Sequence, residues 1–189
     1  MSRIYKQISS TLKGLRSERG WSLDKAAEET GVSKAMLGQI ERQESSPTIA
    51  TLWKIASGFN VSFSSFIEDI DANFEEPVHR SGRAQQIHPL DKKIRVMPLF
   101  PFDKEFSFEV FMNELLPGCE HLSPAHQKGV VEHVIVIEGK MEVLVKGQWK
   151  PLNTGEGLRF HADKPHGYRN LGSIIARFHD IIHYPRNDT

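Results

Sequence analysis

The sequence predicts two domains of different class, an all-α unit followed by an all-β sandwich or barrel. Three observations lead there. Residues 1–67 place apolar side chains three and four apart between Ser, Thr and Gly boundary residues. Residues 68–93 lose that periodicity and mix acids with Pro, Gly and Gln. From Ile94 onward the apolar residues alternate, in short runs rich in Val, Ile and Phe. The expected division is therefore 1–69 helical, 70–93 linker and 94–189 β, which 189 residues accommodate.

Five short helices are expected in the first unit. Ile4, Ile8, Leu12 and Leu15 mark the first, which stops at Gly20. Ser22–Arg42 (SLDKAAEETGVSKAMLGQIER) then spells two helices joined by a tight turn. Ser22 is placed to cap the earlier one, leaving Leu23, Ala26 and Ala27 on its apolar side. Gly31 supplies the positive φ that ends it, and Val32 plugs the turn. Ser33 caps the next helix, whose buried stripe is Met36, Leu37 and Ile40. Lys34, Ala35, Gly38, Gln39 and Arg42 remain on its other side, a small face with a cation and an amide that suits a major groove. A plain αα-hairpin is the alternative. Thr48 starts a fourth helix (Ile49, Leu52, Trp53, Ile55, Ala56) that stops at Gly58, and Ser62 caps a fifth with Phe63, Phe66 and Ile67.

With turn, caps and core in register, this first third of the chain resembles the lambda-repressor/Cro-type helix-turn-helix domain of the XRE family. The resemblance implies that Ser33–Arg42 is the recognition helix. On it, Lys34, Ala35 and Gln39 would face base edges of double-stranded DNA, and Ser22, Ser33, Arg42, Ser46 and Thr48 would touch phosphates. It also implies that Glu41 pairs with Arg16 rather than meeting DNA.

Charge is consistent with a specific binder. The net charge is zero, but residues 1–67 carry +3, residues 68–91 carry −4 and residues 92–189 carry +1. Modest basicity puts the burden of affinity on dimerisation. The single Cys119 permits no internal disulfide and fits a reducing cytosol. No apolar run is long enough to span a membrane and the N-terminus lacks a signal peptide's apolar core, so a cytoplasmic protein is expected.

In the second unit the expected strands are Phe106–Leu115, Val130–Ile137, Met141–Val145, Gly157–Phe160, Gly167–Asn170 and Ser173–His183. Two Gly-containing segments resemble the paired motifs of the cupin superfamily, a double-stranded β-helix (jelly-roll) barrel. Glu132 and Gly139 fit the first motif and make His126 its first histidine. Lys128 stands where the second histidine belongs, and Gly118 is two residues too far upstream. Gly155, His166 and Asn170 fit the second motif, with His161 and Asp163 in place of its Pro and Gly.

The resemblance implies an effector pocket built from His126, Lys128, Glu132, Arg159, His166 and Tyr168. Lys128 and Arg159, if inward, favour an anionic ligand; exposed surface charge is the alternative. A metal-free pocket is expected first. The alternative is a divalent ion (Zn, Ni or Fe) on His126, Glu132 and His166, with His121 as a substitute ligand. His179 and His183 are read as pocket lining or edge, His133 as pointing away from the site, and His79 and His88 as solvated in the linker.

Across its length the chain resembles XRE-family regulators with a C-terminal cupin sensor, especially the enterobacterial sulfur-utilisation regulators. That implies a cytoplasmic homodimer that reads a pseudo-palindromic operator and senses a small, sulfur-related molecule. No catalytic residue is assigned. The alternatives are a metal-dependent cupin enzyme fused to a DNA-binding domain, and a non-sensing dimeric DNA-binding protein.

Overall fold

The computed structural model describes residues 3–67, 93–103 and 105–185. The chain forms two compact units, Met1–Pro77 and Val78–Thr189. The expected linker, with His79 and His88, lies almost wholly outside the described residues.

The first unit holds α1 (Arg3–Glu18), α2 (Leu23–Thr30), α3 (Lys34–Glu41) and α4 (Ile49–Gly58), then one 3-10 turn, Ser64–Phe66. The expected fifth helix is thus only that turn. Ser62 does not cap it; its hydroxyl lies 2.7 Å from the Ser65 hydroxyl, and Phe63, Phe66 and Ile67 are buried. With two aromatics and an isoleucine in five residues, burying them in the core outweighs continuing a helix.

Local signals explain the other boundaries. Ser22, Ser33 and Thr48 each accept a hydrogen bond from the backbone N–H three residues on, capping α2, α3 and α4. Gly31 takes φ 63° and ends α2. Ile4, Ile8, Leu12, Leu37, Ile40, Leu52, Ile55 and Phe59 form the core. Close packing of α4 on α2 depends on Gly58, where a Cβ would come within 2.6 Å of the Thr30 Cα.

The second unit is a two-sheet barrel. One sheet has the order β1-β2-β9-β4-β7 and the other β3-β8-β5-β6, with every pairing antiparallel. The first contains β1 (Ile94–Asp103), β2 (Phe108–Leu115), β4 (Val131–Glu138), β7 (Gly157–His161) and β9 (Ala176–His183). The second contains β3 (Cys119–Ser123), β5 (Lys140–Val145), β6 (Gln148–Asn153) and β8 (His166–Asn170). Strands β1, β3 and β6 were not among those expected. Gly139, with φ 74°, makes the tight turn between β4 and β5.

Alternation decides what faces inward. Glu132, Val134 and Val136 of β4, Phe178, Asp180 and Ile182 of β9, and His166, Tyr168 and Asn170 of β8 are buried. Asn170 is structural: its amide donates to the carbonyls of Leu115 and Ile174, and its Oδ1 accepts from Gly172 N–H.

Candidate functional site

Two groups of residues carry chemistry, one in each unit. In the helical unit, α3 is anchored from behind. The Arg16 guanidinium donates to both Glu41 carboxylate oxygens, at 2.6 and 2.9 Å, and to the Trp21 carbonyl at 2.9 Å. Ser9 Oγ donates to the Glu41 carbonyl at 2.7 Å. Glu41 therefore fixes α3 against α1 and does not face outward. Arg19 covers the faces of Trp21 and Phe59, at 4.9 and 5.6 Å, and donates to the Phe59 carbonyl.

Lys34, Ala35 and Gln39 are all exposed on α3. Gly38 is not part of that face. It is buried, and the atom nearest to a Cβ built there is the Arg42 guanidinium Nη1, at 3.1 Å. Met36 is half-buried, and Ser45 Oγ lies 3.7 Å from its sulfur. Lys34 pairs with Asp24 at 2.8 Å, and Arg42 with Glu44 at 2.7 Å, all four being exposed. Such pairs contribute little and exchange readily for a phosphate or a base. Ser22 and Ser33 are exposed, and Ser46 and Thr48 half-buried. As caps, Ser22, Ser33 and Thr48 use their oxygens as acceptors for backbone N–H, at the positive ends of three helices. Thr48 also shares its hydroxyl with Thr51 at 2.9 Å.

Inside the barrel, three residues converge from three elements. Glu132 enters from β4, His166 from β8 across the interior, and His126 from the loop between β3 and β4. Backbone pairing of His126 N–H with the Ala162 carbonyl, 2.8 Å away, pins that loop. Glu132 Oε1 lies 2.8 Å from His126 Nε2 and 3.4 Å from His166 Nε2, and all three side chains are buried. Their ligand atoms lie within 4.8 Å of one another, and among the described residues no other set of His, Cys, Asp or Glu meets that condition. Tyr168 donates its hydroxyl to Glu132 Oε2.

Electrostatics follow from burial and charge. Burial would push the Glu132 carboxyl up, but the two imidazoles outweigh it and hold it well below the usual carboxylate range. Burial lowers His126 despite its bond to Glu132. For His166, burial also pulls down, and the Glu132 charge overrides it and raises the imidazole. The His166 Nδ1–H donates to the Lys164 carbonyl at 2.9 Å, so in neutral imidazole the lone pair sits on Nε2, facing Glu132. Tyr168 and Asp180 are both pushed far up, first by burial and then by neighbouring carboxylates.

The remaining sequence expectations resolve by position. Arg159 is opposite His133 in the β4–β7 register, on the outer sheet face, and is exposed. Lys128 is exposed on the β3–β4 loop. Neither joins the cluster, which removes the two cations behind the expectation of an anionic ligand. Both obey the ordinary preference of long charged side chains for water. His121 is buried in β3, opposite Tyr168, outside the three-residue set. His179 and His183 point outward on β9. Sequence reasoning missed Glu109, Asn113 and Asp180, which face the interior from β2 and β9. Alternation with Phe111, Phe178 and Ile182 was the available signal.

Comparison with known proteins agrees with this architecture. The helix-turn-helix family matches residues 12–66 and the cupin domain family residues 111–182. The HTH-type transcriptional regulator SutR of Escherichia coli (strain K12) is 49% identical over 187 residues, covering 99% of this chain and 100% of the relative. The HTH-type transcriptional regulator PuuR of the same organism is 23% identical over 88% of this chain and 89% of its own length. The crystal structure of an HTH_3 family transcriptional regulator from Vibrio cholerae superposes with a TM-score of 0.84 at 46% identity, covering 97% of this chain and 98% of that one. On this evidence the chain belongs to the helix-turn-helix transcriptional regulators that carry a C-terminal cupin domain, the family that includes SutR.

Proposed function

We propose that this transcriptional regulator binds a pseudo-palindromic operator as a cytoplasmic homodimer and that its barrel senses a small effector. The observation that carries the DNA-binding part is the two-sidedness of α3. Its inner face is held by Leu37, Ile40 and the Arg16–Glu41 pair, while Lys34, Ala35 and Gln39 are left to solvent. Lys34 donates to guanine acceptors, Gln39 pairs with adenine and Ala35 gives room for a thymine methyl. Ser22, Ser33, Arg42, Ser46 and Thr48 set the register on phosphates. Two copies place their recognition helices about 34 Å apart, one helical turn of DNA. Phe100, Ile135 and Ile137, exposed on β1 and β4, support pairing of the barrels through the outer face of their sheet.

In the barrel, His126, Glu132 and His166 are the effector-binding group, with Tyr168 orienting the carboxylate. The donor set fits a divalent metal. Two imidazole nitrogens and one carboxylate converge, and the Lys164 carbonyl fixes the His166 tautomer so that Nε2 presents its lone pair. That fit favours the metal over the metal-free alternative. A bound Zn, Ni or Fe would supply open coordination positions for an effector atom, including sulfur. The effector then shifts operator affinity, and DNA shifts effector affinity by the same factor. A sensor rather than an enzyme is the reading, because the DNA-binding unit gives the barrel an output.

Two measurements test this. In gel shifts on operator fragments selected from a random duplex pool, Gln39→Ala and Lys34→Ala should each weaken binding by ~10–100-fold, about 1–3 kcal/mol. Unchanged binding, or no sequence preference in the selection, sinks the DNA-reading claim. Elemental analysis should find one metal per chain, lost in Glu132→Gln; a metal-free wild type returns the site to a plain polar pocket.

A further inference from the structure

We propose that Gln43 is a further DNA-contacting residue, held in a costly backbone conformation just past α3 so that its carboxamide reaches the operator. This rests on the reading of α3 as the recognition helix and adds a residue that lies outside the helix itself.

Three of the four helices end in the same way. After α1, Trp21 N–H donates to the Arg16 carbonyl and Gly20 N–H to the Ser17 carbonyl, both at 3.0 Å. After α3, Glu44 N–H donates to the Gln39 carbonyl at 2.8 Å and Gln43 N–H to the Ile40 carbonyl at 3.0 Å. After α4, Val61 N–H donates to the Ala56 carbonyl and Asn60 N–H to the Ser57 carbonyl, both at 3.0 Å. This closure needs a left-handed residue past the last turn. Gly20, Gln43 and Asn60 supply it with φ of 64°, 61° and 50°, and Gly31 takes φ 63° after α2. Glycine enters that region freely, and asparagine is among the side chains that tolerate it best. Gln43 has neither advantage. A long side chain there costs stability, and such outliers persist where function gains from them.

The surroundings of Gln43 differ from those of its counterparts as well. Trp21 and Val61, which follow Gly20 and Asn60, are apolar and half-buried, whereas Glu44 after Gln43 is exposed. Gln43 itself is half-buried, and among the described residues its carboxamide makes no hydrogen bond. Its place in the chain points to a partner. Gln43 stands four residues beyond Gln39 and eight beyond Ala35, the spacing of one helix face, and three before Ser46. It therefore falls between the residues proposed to read bases and those proposed to touch phosphates. A carboxamide offers N–H donors and an oxygen acceptor, which match a base edge or, through the donors, a phosphate oxygen.

Gel shifts and thermal melting of the full chain test this, on a duplex that the wild type selects from a random pool. Gln43→Gly and Gln43→Ala both remove the carboxamide, and only the glycine relieves the backbone. Each should lose operator affinity ~10-fold. Gln43→Gly should also raise the Tm of the helical unit, followed by helical circular dichroism, by a few degrees, while Gln43→Ala leaves it unchanged. Affinity lost in the glycine variant alone traces to a loosened turn, and affinity kept in both traces to a purely structural residue; either overturns the proposal. A second selection with Gln43→Ala separates the two targets on DNA. Relaxed preference at one base pair of each half-site marks a base contact, and unchanged preference with a shallower salt dependence marks a phosphate. Gln39→Ala on the same duplex keeps the two readings apart: if it loses affinity while both Gln43 variants bind as the wild type does, α3 stands as the recognition helix and Gln43 alone is removed from it.

Discussion

The helical unit and the barrel solve opposite problems. In the helical unit the interior is aliphatic and aromatic, and the residues proposed to act are at the surface: Lys34, Ala35 and Gln39 are exposed while Leu12, Leu37, Ile55 and Phe59 are fully buried. In the barrel the residues proposed to act are inside, where His126, Glu132 and His166 share the space between the sheets with Phe111, Val134 and Phe178. A DNA reader must meet a large external partner, so its core is free to be oily. A sensor must enclose a small one, so part of its core is given over to polar groups. The difference teaches where stability and function overlap: in the first unit only at the capping residues Ser22, Ser33 and Thr48, and in the second almost completely.

The largest effect expected from that contrast is in the aromatic core of the helical unit. Phe59 is fully buried, packs on Trp21 at 4.9 Å between ring centroids, and lends its carbonyl to Arg19. Phe59→Ala should cost about 3–5 kcal/mol. In metal-stripped protein, Glu132→Gln in the barrel should change stability by about 1 kcal/mol or less, because His166 sheds its proton when the carboxylate goes, His126 is already neutral and no orphan charge remains. Urea unfolding followed by the fluorescence of Trp21 and Trp53, with circular dichroism for the strands, measures both. Equal costs would break the comparison.

The same contrast explains what could be read in advance. Helices α1 to α4 were legible because their cores obey a single rule, apolar at three and four, and because Ser22, Ser33, Gly31 and Thr48 mark the ends. Strands β4, β5 and β9, with their Val, Ile and Phe set among polar residues, were legible too. Strand β3 was not, since its inward residues are Cys119, His121 and Ser123, and a polar inner face carries no hydrophobic alternation. In β1, Pro98 and Pro101 argue against a strand, yet it survives as an edge strand with two register shifts. Strand β6 is an edge of the second sheet, buries only Leu152 and contains Pro151. The motif spacing found His126, Glu132 and His166, whereas Glu109, Asn113 and Asp180 belong to no motif and only the alternation of their strands turns them inward.

A second, smaller effect tests whether the anchoring of α3 is structural. The Glu41 side chain is 10% exposed and relies on Arg16 for both oxygens. Arg16→Ala leaves that carboxylate half-sealed without its partner and should cost about 2–3 kcal/mol. The paired change Arg16→Met with Glu41→Leu should recover most of the loss, because nothing charged is then stranded. Operator affinity of the double variant, measured well below its Tm, should stay within ~3-fold of wild type, since neither side chain faces the groove. A double variant that is stable but no longer binds DNA would show that the pair does more than hold α3 in place.

The smallest effect lies on the outer face of the barrel, where charge is paired as it is on the helical unit. Arg95 and Arg177 each donate to the Glu114 carboxylate, at 3.0 and 2.8 Å, and Arg177 also donates to Glu138. Burial would push the Glu114 carboxyl up; the two guanidinium hydrogen bonds outweigh it and hold it below the usual carboxylate range. A depressed carboxyl stabilises the fold above its unfolded value, near pH 4.3, and that stability is lost as pH falls through the folded value. Glu114→Gln should therefore lower the urea midpoint at pH 7 by an amount worth ~1 kcal/mol or less, and the gap from wild type should be smaller at pH 3 than at pH 7. Salt should shrink it as well, because both arginines are partly exposed. If the variant instead lost stability equally at both pH values, Glu114 would be acting through packing rather than charge, and the outer face would resemble the oily core of the helical unit more than its paired surface.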